Sequence, residues 1–195
     1  MQNRISAFPP GNDAVRTFFA SRRVDQLRTA AHHPEPVSAA AFVEGMRGAV
    51  TGVNIVTTDG AAGRFGITVS AFSSVSAEPP MVLVCINRSS PASDALVANG
   101  CFAVNVLSTS QQSLADSFAG RPNGSAAYDF GAARWNASAT GAPVLSGAVA
   151  GFDCALATTV DVGTHRIFIG RVVDVATSAT DPLLYSNRTY GRVGR

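Results

Sequence analysis

The sequence contains no lysine, and only 14% of its 195 residues are charged. Without lysine, the chain cannot supply the cation of a P-loop or form a Schiff base, which excludes Walker-type NTPases and pyridoxal-phosphate enzymes. The fifteen arginines exceed the thirteen acidic residues by a net charge of only +2. Such a small excess does not suit a protein that binds mainly through nucleic-acid phosphates, so we expect no nucleic-acid partner.

Long apolar runs are missing as well. Glycine, proline, serine or charged residues interrupt every apolar stretch before the roughly 18 residues that a membrane-spanning helix needs, and the first residues lead into no apolar signal segment. Cys85, Cys101 and Cys154 lie far apart in apolar runs, which is typical of small buried side chains in a reducing compartment. We therefore expect a cytoplasmic protein that does not bind membranes.

Several catalytic signatures are also absent from the sequence. It has no Gly-x-Ser-x-Gly nucleophile motif, and no Gly-x-Gly-x-x-Gly motif follows a predicted strand. His32 and His33 have no further metal-ligating side chain at a suitable spacing. The sequence therefore predicts no covalent catalysis, no Rossmann nucleotide site and no metal site.

The apolar content of 46% is enough for one substantial core. Residues 1–37 differ from the rest, because Asn12 is a candidate N-cap of an arginine-rich helix that would end near Pro34. We expect residues 1–37 to form an N-terminal arm and residues 38–195 to form the domain. The arginines of the arm favour a solvated helix face, with membrane or partner binding as the alternative.

Short helices and strands are predicted along the domain. Helices are expected from Ser38 to Gly48, Ser93 to Asn99 and Ser110 to Ala119, and strands over 50–58, 64–76, 81–86, 101–107, 152–162 and 166–175. The first two strands form a hairpin around the turn Asp59–Gly63. Because the strands do not alternate regularly with helices, we predict a mainly β fold, an antiparallel barrel with short helices.

An uncharged ribbon of small and hydroxyl side chains runs from Gly66 to Ser76. Such residues let a flat ligand lie against the backbone and use its N–H and C=O groups. A plain strand at a barrel rim explains the same composition, and from composition alone it is the commoner explanation.

The segment Asn87–Pro91 combines an arginine, two hydroxyls and the start of a predicted helix. These groups suit a phosphate, because a helix N-terminus adds a partial positive charge. A capped turn accounts for the same residues equally well. A further candidate, His165, lies on a tight corner where it could contact a ligand, although a lone histidine is more often an ordinary residue.

A set of short motifs resembles the flavin reductase-like family when taken in chain order. The motifs are Thr51-Gly52-Val53-x-Ile55-Val56-Thr57-Thr58, the ribbon from Gly66 with Pro79-Pro80, Asn105-Val106-Leu107, Gly163-x-His165 with Ile169-Gly170, and Pro182-Leu183-Leu184-Tyr185-x-Asn187-Arg188-x-Tyr190-Gly191. The resemblance covers about residues 39–192 and is strongest to the small reductase components of two-component flavin monooxygenases. One departure is Thr164, since the family usually has aspartate before this histidine.

The resemblance implies a homodimeric split antiparallel β-barrel of the Greek-key, FMN-binding type, which uses FMN or FAD with NADH or NADPH. The isoalloxazine and ribityl chain would lie along Thr68, Val69, Ser70, Ala71, Phe72, Ser74 and Val75. The phosphate region would be formed by Arg88, Ser89, Ser90 and Pro91. The nicotinamide nucleotide would contact His165, as a catalytic residue, together with Tyr185, Ser186, Asn187 and Arg188.

The predicted activity is hydride transfer from NAD(P)H to the flavin, a reaction in which the cofactors carry the chemistry and the protein holds two rings face to face. The resemblance further implies that the reduced flavin passes to a separate monooxygenase. Two alternatives remain at this point: a flavin-binding carrier without reductase turnover, and a flavin-dependent oxidase of a small substrate.

Overall fold

The computed structural model describes residues 34–122 and 126–194. The helix predicted after Asn12 lies outside the described residues, and residues 34–37 have no regular secondary structure. The α-helices of the described residues are α1 (Ala39–Arg47), α2 (Pro91–Asn99) and α3 (Gln112–Phe118). The strands are β1 (Thr51–Gly52), β2 (Asn54–Thr58), β3 (Phe65–Val69), β4 (Phe72–Ala77), β5 (Pro80–Asn87), β6 (Cys101–Val106), β7 (Trp135–Ala137), β8 (Pro143–Leu145), β9 (Ala150–Val162), β10 (His165–Thr177), β11 (Leu184–Ser186) and β12 (Thr189–Gly191).

The helices begin and end at the capping residues that the sequence supplies. The Ser38 hydroxyl accepts a hydrogen bond from the Ala41 N–H at the start of α1, and Gly48 follows its last turn. Helix α2 begins at Pro91, two residues earlier than predicted, because proline at the first helical position loses no needed N–H bond. It ends at Gly100, whose φ of 68° is left-handed. No helix among the described residues is long and apolar enough to cross a membrane.

The main sheet has seven antiparallel strands in the order β3-β2-β6-β9-β10-β5-β4, and it is not closed into a barrel by hydrogen bonds. A smaller sheet has the order β1-β11-β12, and β7 pairs with β8. The mainly β, antiparallel fold with short helices that the sequence predicts is therefore confirmed.

The two faces of β2 serve two hydrophobic clusters, because successive side chains of a strand point to opposite sides. Val56 packs in one cluster with Leu96 of α2 and with Phe102 and Phe168. Ile55 packs in the other cluster with residues of α3, including Phe118. The helices α2 and α3 therefore cover opposite faces of the sheet, and each face is buried on folding.

The prediction of one strand over 64–76 is wrong, because the segment forms two strands, β3 and β4. β3 pairs with β2, whereas β4 pairs with β5 at the other edge of the sheet. Between them, the Phe72 N–H donates to the Ser70 carbonyl at 3.1 Å, which turns the chain across the sheet. The break falls at Ser70 and Ala71, where there is neither glycine nor proline, so the sequence carried no signal for it.

Gly170 of β10 provides a test of the packing between this strand and the core. A Cβ at this position would lie 2.5 Å from Cζ of Phe102 and 2.8 Å from Cβ of Cys154. We expect Gly170→Ala to lower the free energy of unfolding by about 1–3 kcal/mol, the usual cost of overpacking a core. The measurement is urea denaturation followed by circular dichroism.

Gly45→Ala is the matched control for Gly170→Ala. Gly45 lies in α1, and a Cβ added there would have no neighbour within 4 Å. Alanine should therefore raise the free energy of unfolding by about 0.5–1 kcal/mol through helix propensity. Equal unfolding midpoints for Gly170→Ala and the unmodified protein would contradict the close packing.

Candidate active site

A cleft of about 140 Å³ opens at the junction of the two sheets. It is lined by Val53, Thr68, Val69, Ser70, Ala119, Arg121, Tyr185 and Tyr190. Three of these residues come from the predicted flavin segment and one from the predicted nicotinamide segment. The cleft therefore joins parts of two segments that lie more than a hundred residues apart in the sequence.

Backbone pairing places the Tyr185 hairpin beside the end of β3. Strand β11 pairs with β1, so that Tyr185 lies opposite Thr51. The Val53 N–H donates to the Leu183 carbonyl at 3.0 Å, and the next residue along, Asn54, is the register partner of Val69. Main-chain hydrogen bonds to β1 and Val53 therefore hold the β11–β12 hairpin next to the end of β3.

The two tyrosines form one wall of the cleft. Their ring centroids lie 5.2 Å apart with an interplanar angle of 61°, an edge-to-face arrangement. The Tyr190 hydroxyl donates to Oδ1 of Asp116 in α3 at 2.7 Å. Burial, together with this hydrogen bond to a carboxylate, raises the pKa of Tyr190. The phenol thus stays protonated and fastens the hairpin to α3.

Helix α3 also holds the opposite wall. The Thr68 hydroxyl donates to the Ala115 carbonyl at 2.8 Å. Arg121 follows the helix, and its N–H donates to the Asp116 carbonyl at 2.9 Å. Its guanidinium adds the positive charge among the residues that line the cleft, in surroundings otherwise formed by uncharged side chains.

The chain crosses from β3 to β4 at the end of the cleft, and this crossing is exposed. Ser70 and Ala71 are exposed, whereas Phe72 is half-buried with its ring centroid 5.5 Å from that of Phe152. The Ala71 carbonyl accepts a hydrogen bond from the Cys85 N–H at 3.2 Å. Beyond the crossing, Ser74 and Val75 of β4 are exposed as well. A flat molecule can therefore reach the main chain along this ribbon.

The turn after β5 begins at Asn87, two residues after Cys85, whose N–H bonds to the crossing. The Asn87 side-chain carbonyl accepts from the backbone N–H and from the hydroxyl of Ser89, both at 2.9 Å. Ser90 precedes Pro91, the first residue of α2, and its hydroxyl makes no capping bond to the helix. The turn is thus shaped by Asn87 and leaves the Ser90 hydroxyl at an open helix N-terminus.

His165 lies beside this turn because β10 pairs with β5. Its register partner is Asn87, and the Arg88 N–H donates to the Thr164 carbonyl at 3.0 Å. The His165 ring is exposed, and its Nδ1 lies 2.9 Å from the Thr164 hydroxyl. At the position where the family usually has a carboxylate, a hydroxyl therefore orients the imidazole.

Ser186, Asn187 and Arg188, which were also predicted to contact the nicotinamide, do not line the cleft. Asn187 and Arg188 have left-handed φ values of 47° and 61° in the β11–β12 turn. The Asn187 N–H and the Ser186 hydroxyl both donate to the Arg47 carbonyl, at 2.8 and 3.3 Å. These residues join the hairpin to the end of α1, and only Tyr185 of the set lines the cleft.

Sequence reasoning missed Arg121, Tyr190, Val53 and Ala119 as cleft residues. Tyr190 does stand in the C-terminal motif that resembles the family, so the motif itself marked it. Arg121 carried no signal, because a single arginine after the helix-ending Gly120 is typical of any helix terminus.

Comparisons with known proteins identify the family of the chain. The family model described as flavin reductase like domain matches residues 46–194. The chain is 44% identical over 155 residues to the FMN reductase (NADH) RutF of Pseudomonas syringae pv. syringae, covering 79% of this chain and 86% of that protein.

Two solved structures are also similar. The NADH:FAD oxidoreductase of Streptomyces globisporus, in complex with NAD and FAD fragments, has 32% identity and a TM-score of 0.71, with 83% of this chain and 98% of that chain covered. The styrene monooxygenase flavin reductase of Pseudomonas putida has 31% identity and a TM-score of 0.69, with 79% and 97% covered. The matching family model, the relatives and the similar structures show that the chain belongs to the flavin reductase-like family and has its split-barrel type of fold.

Proposed function

We propose that this protein is an NADH-dependent FMN reductase that supplies reduced flavin to a separate monooxygenase. The observation that carries the proposal is the continuity of the site. The crossing Ser70–Phe72, exposed at Ser70 and Ala71, begins at the cleft. Its Ala71 carbonyl is hydrogen-bonded to β5, the strand that leads into the Arg88–Pro91 turn. The names of the similar proteins, FMN reductase (NADH) and monooxygenase flavin reductase, support the choice of cofactors and of partner.

The flavin would lie along the crossing. Backbone groups of Val69 to Phe72 would bind the polar edge of the isoalloxazine, and the exposed Ser74 and Val75 would lie beside the ribityl chain. The phosphate would bind at Ser89, Ser90 and Pro91, because the N-terminus of α2 and the nearby Arg88 guanidinium both favour an anion. Thr68 would position the cleft wall through its bond to α3.

The nicotinamide nucleotide would contact His165 and Tyr185. The exposed imidazole, oriented by Thr164, can donate to or accept from the nicotinamide carboxamide. Ser186, Asn187 and Arg188 would shape the edge of this pocket from the β11–β12 turn. FMN, when bound, supplies the hydride acceptor, and the chain's own residues bind and orient the two rings.

We also infer a homodimer in the cytoplasm. Helix α1 buries none of its residues, and Phe42, Val43 and Met46 are 60%, 49% and 52% exposed. Exposed apolar side chains on one short helix are typical of a contact surface, and a second copy is the proposed occupant. The free thiols of Cys85, Cys101 and Cys154 support a reducing compartment. Sedimentation equilibrium should give twice the chain mass, and a monomeric mass would contradict the dimer.

The proposed activity is tested by mixing the purified protein with NADH and following the nicotinamide absorbance. We expect NADH oxidation to depend on added FMN. A flavin carrier would instead bind FMN without consuming NADH. A flavin-dependent oxidase would retain bound flavin and leave NADH unoxidised, so either of these results would overturn the proposal.

The phosphate subsite is tested by Arg88→Gln with two flavins. Loss of a charge-assisted contact to phosphate should raise the Kd for FMN about tenfold. The Kd for riboflavin, which lacks the phosphate, should stay unchanged. Both constants are measured by quenching of flavin fluorescence.

Arg64→Gln is the control for the loss of an arginine. Arg64 is half-exposed, and its Nε pairs with Asp59 in the β2–β3 turn at 2.7 Å. This variant should leave both Kd values unchanged. An equal loss of FMN and riboflavin affinity in Arg88→Gln would remove the phosphate role from Arg88.

A further inference from the structure

Four charged side chains form a network beside the His165 corner and the start of α2. Arg166 makes a bidentate pair with Asp161, with Nε–Oδ1 at 2.6 Å and Nη2–Oδ2 at 3.2 Å. Its Nη1 lies 3.3 Å from Oδ1 of Asp94. Oδ2 of Asp161 also lies 3.6 Å from Nε of Arg88. The Arg166 side chain is only 18% exposed, whereas the side chains of Asp161 and Asp94 are 42% and 84% exposed. The guanidinium is therefore held in place by packing, and its carboxylate partners remain in contact with solvent.

The network connects two separate segments of the site. Asp161 and Arg166 are opposite each other on β9 and β10, one residue pair inside the corner that carries His165. Asp94 lies in the first turn of α2, the helix that begins after Ser90. Arg166 therefore joins the His165 corner to the helix that follows the proposed phosphate turn.

Arg166 can position the adjacent His165 without contacting a ligand itself. Arg166 is the register partner of the buried Ile86, and His165 is the partner of the exposed Asn87. Because side chains alternate along a strand, Arg166 faces α2 and His165 faces the opposite side of the sheet. A guanidinium held on one side fixes the backbone from which the imidazole projects on the other.

We propose that Arg166 and Asp161 are positioning residues, which hold the His165 corner in place relative to the phosphate turn and so set the affinity for NADH. The proposal rests on the function proposed above. The hydrogen bond from Arg166 lowers the pKa of Asp161 below its ordinary value of 3.8, so the pair stays charged throughout the neutral range.

The test is a double-mutant cycle on KM for NADH, measured on the intact protein with saturating FMN. His165→Ala should raise this KM about fivefold, the value of one hydrogen bond. Arg166→Gln alone should raise it about threefold, as expected for loss of cross-strand charge pairing. If Arg166 acts through His165, the double variant should match His165→Ala, because there is then no imidazole left to position.

Further variants separate positioning from a loss of stability. Asp161→Asn, nearly the same shape as the original side chain, should raise KM for NADH as Arg166→Gln does. Arg166→Lys should restore part of the affinity, since an ammonium keeps the charge but not the bidentate geometry. Arg64→Gln is a close control, because Arg64 also pairs through Nε with an aspartate five residues earlier across a turn. It should leave KM unchanged.

The possible results are distinct. An unchanged KM in Arg166→Gln, or full additivity with His165→Ala, overturns the positioning role while the role of His165 stands. An unchanged KM in His165→Ala removes the nicotinamide role proposed for that residue and the positioning role with it. No FMN-dependent NADH oxidation in the unmodified protein overturns the proposed function itself.

Discussion

The antiparallel pairing of β5 with β10 is the constraint on which the site depends. This register places Asn87 opposite His165, and on its other edge β5 pairs with β4. One strand thereby brings the turn that precedes α2 next to the His165 corner and next to the crossing at Ala71. A slip of one residue would turn the side chains of β5 to the other face, burying Asn87 and exposing Ile86. The buried face of β5 therefore fixes the site as firmly as it fixes the core.

Elements with strong local signals could be predicted from the sequence. Ser38 and Gly48 bounded α1, and the apolar run before Asn87 indicated β5, because capping and hydrophobic runs act within a few residues. The break at Ser70 could not be predicted. It exists because β3 pairs with the preceding strand β2 and β4 with the following strand β5, at opposite edges of the sheet, and this pairing overrides local preference. The three-residue strands β7, β8, β11 and β12 were missed as well, because segments this short hold too few residues to show an alternating pattern.

The sequence indicated which side chains could bind a ligand, but not how they are placed relative to one another. The hydroxyl-rich ribbon, the Arg88 turn and His165 stood out because their side chains suit flat and anionic ligands. Their convergence depends on strand register, which no local pattern encodes. The same limit applies to Arg121, which enters the cleft only because α3 packs beside β3. It also explains why the segment after Tyr185 turns toward α1, since left-handed backbone at Asn187 and Arg188 redirects the chain.

The charge network bears on a conflict at the proposed phosphate turn. Arg88 cannot serve an incoming anion well if it is committed to Asp161, yet the two side chains are neighbours. The distances settle the matter: Arg166 reaches both oxygens of Asp161 at 2.6 and 3.2 Å, whereas Arg88 lies at 3.6 Å, beyond hydrogen-bonding distance. Asp161 is thus neutralised mainly by Arg166. Arg88 keeps a longer pair with Asp161 and donates from Nη1 to the Gly163 carbonyl at 3.4 Å, while half of its side chain stays exposed to an incoming anion. In the proposed site, Arg166 would in this way keep Arg88 available for the phosphate.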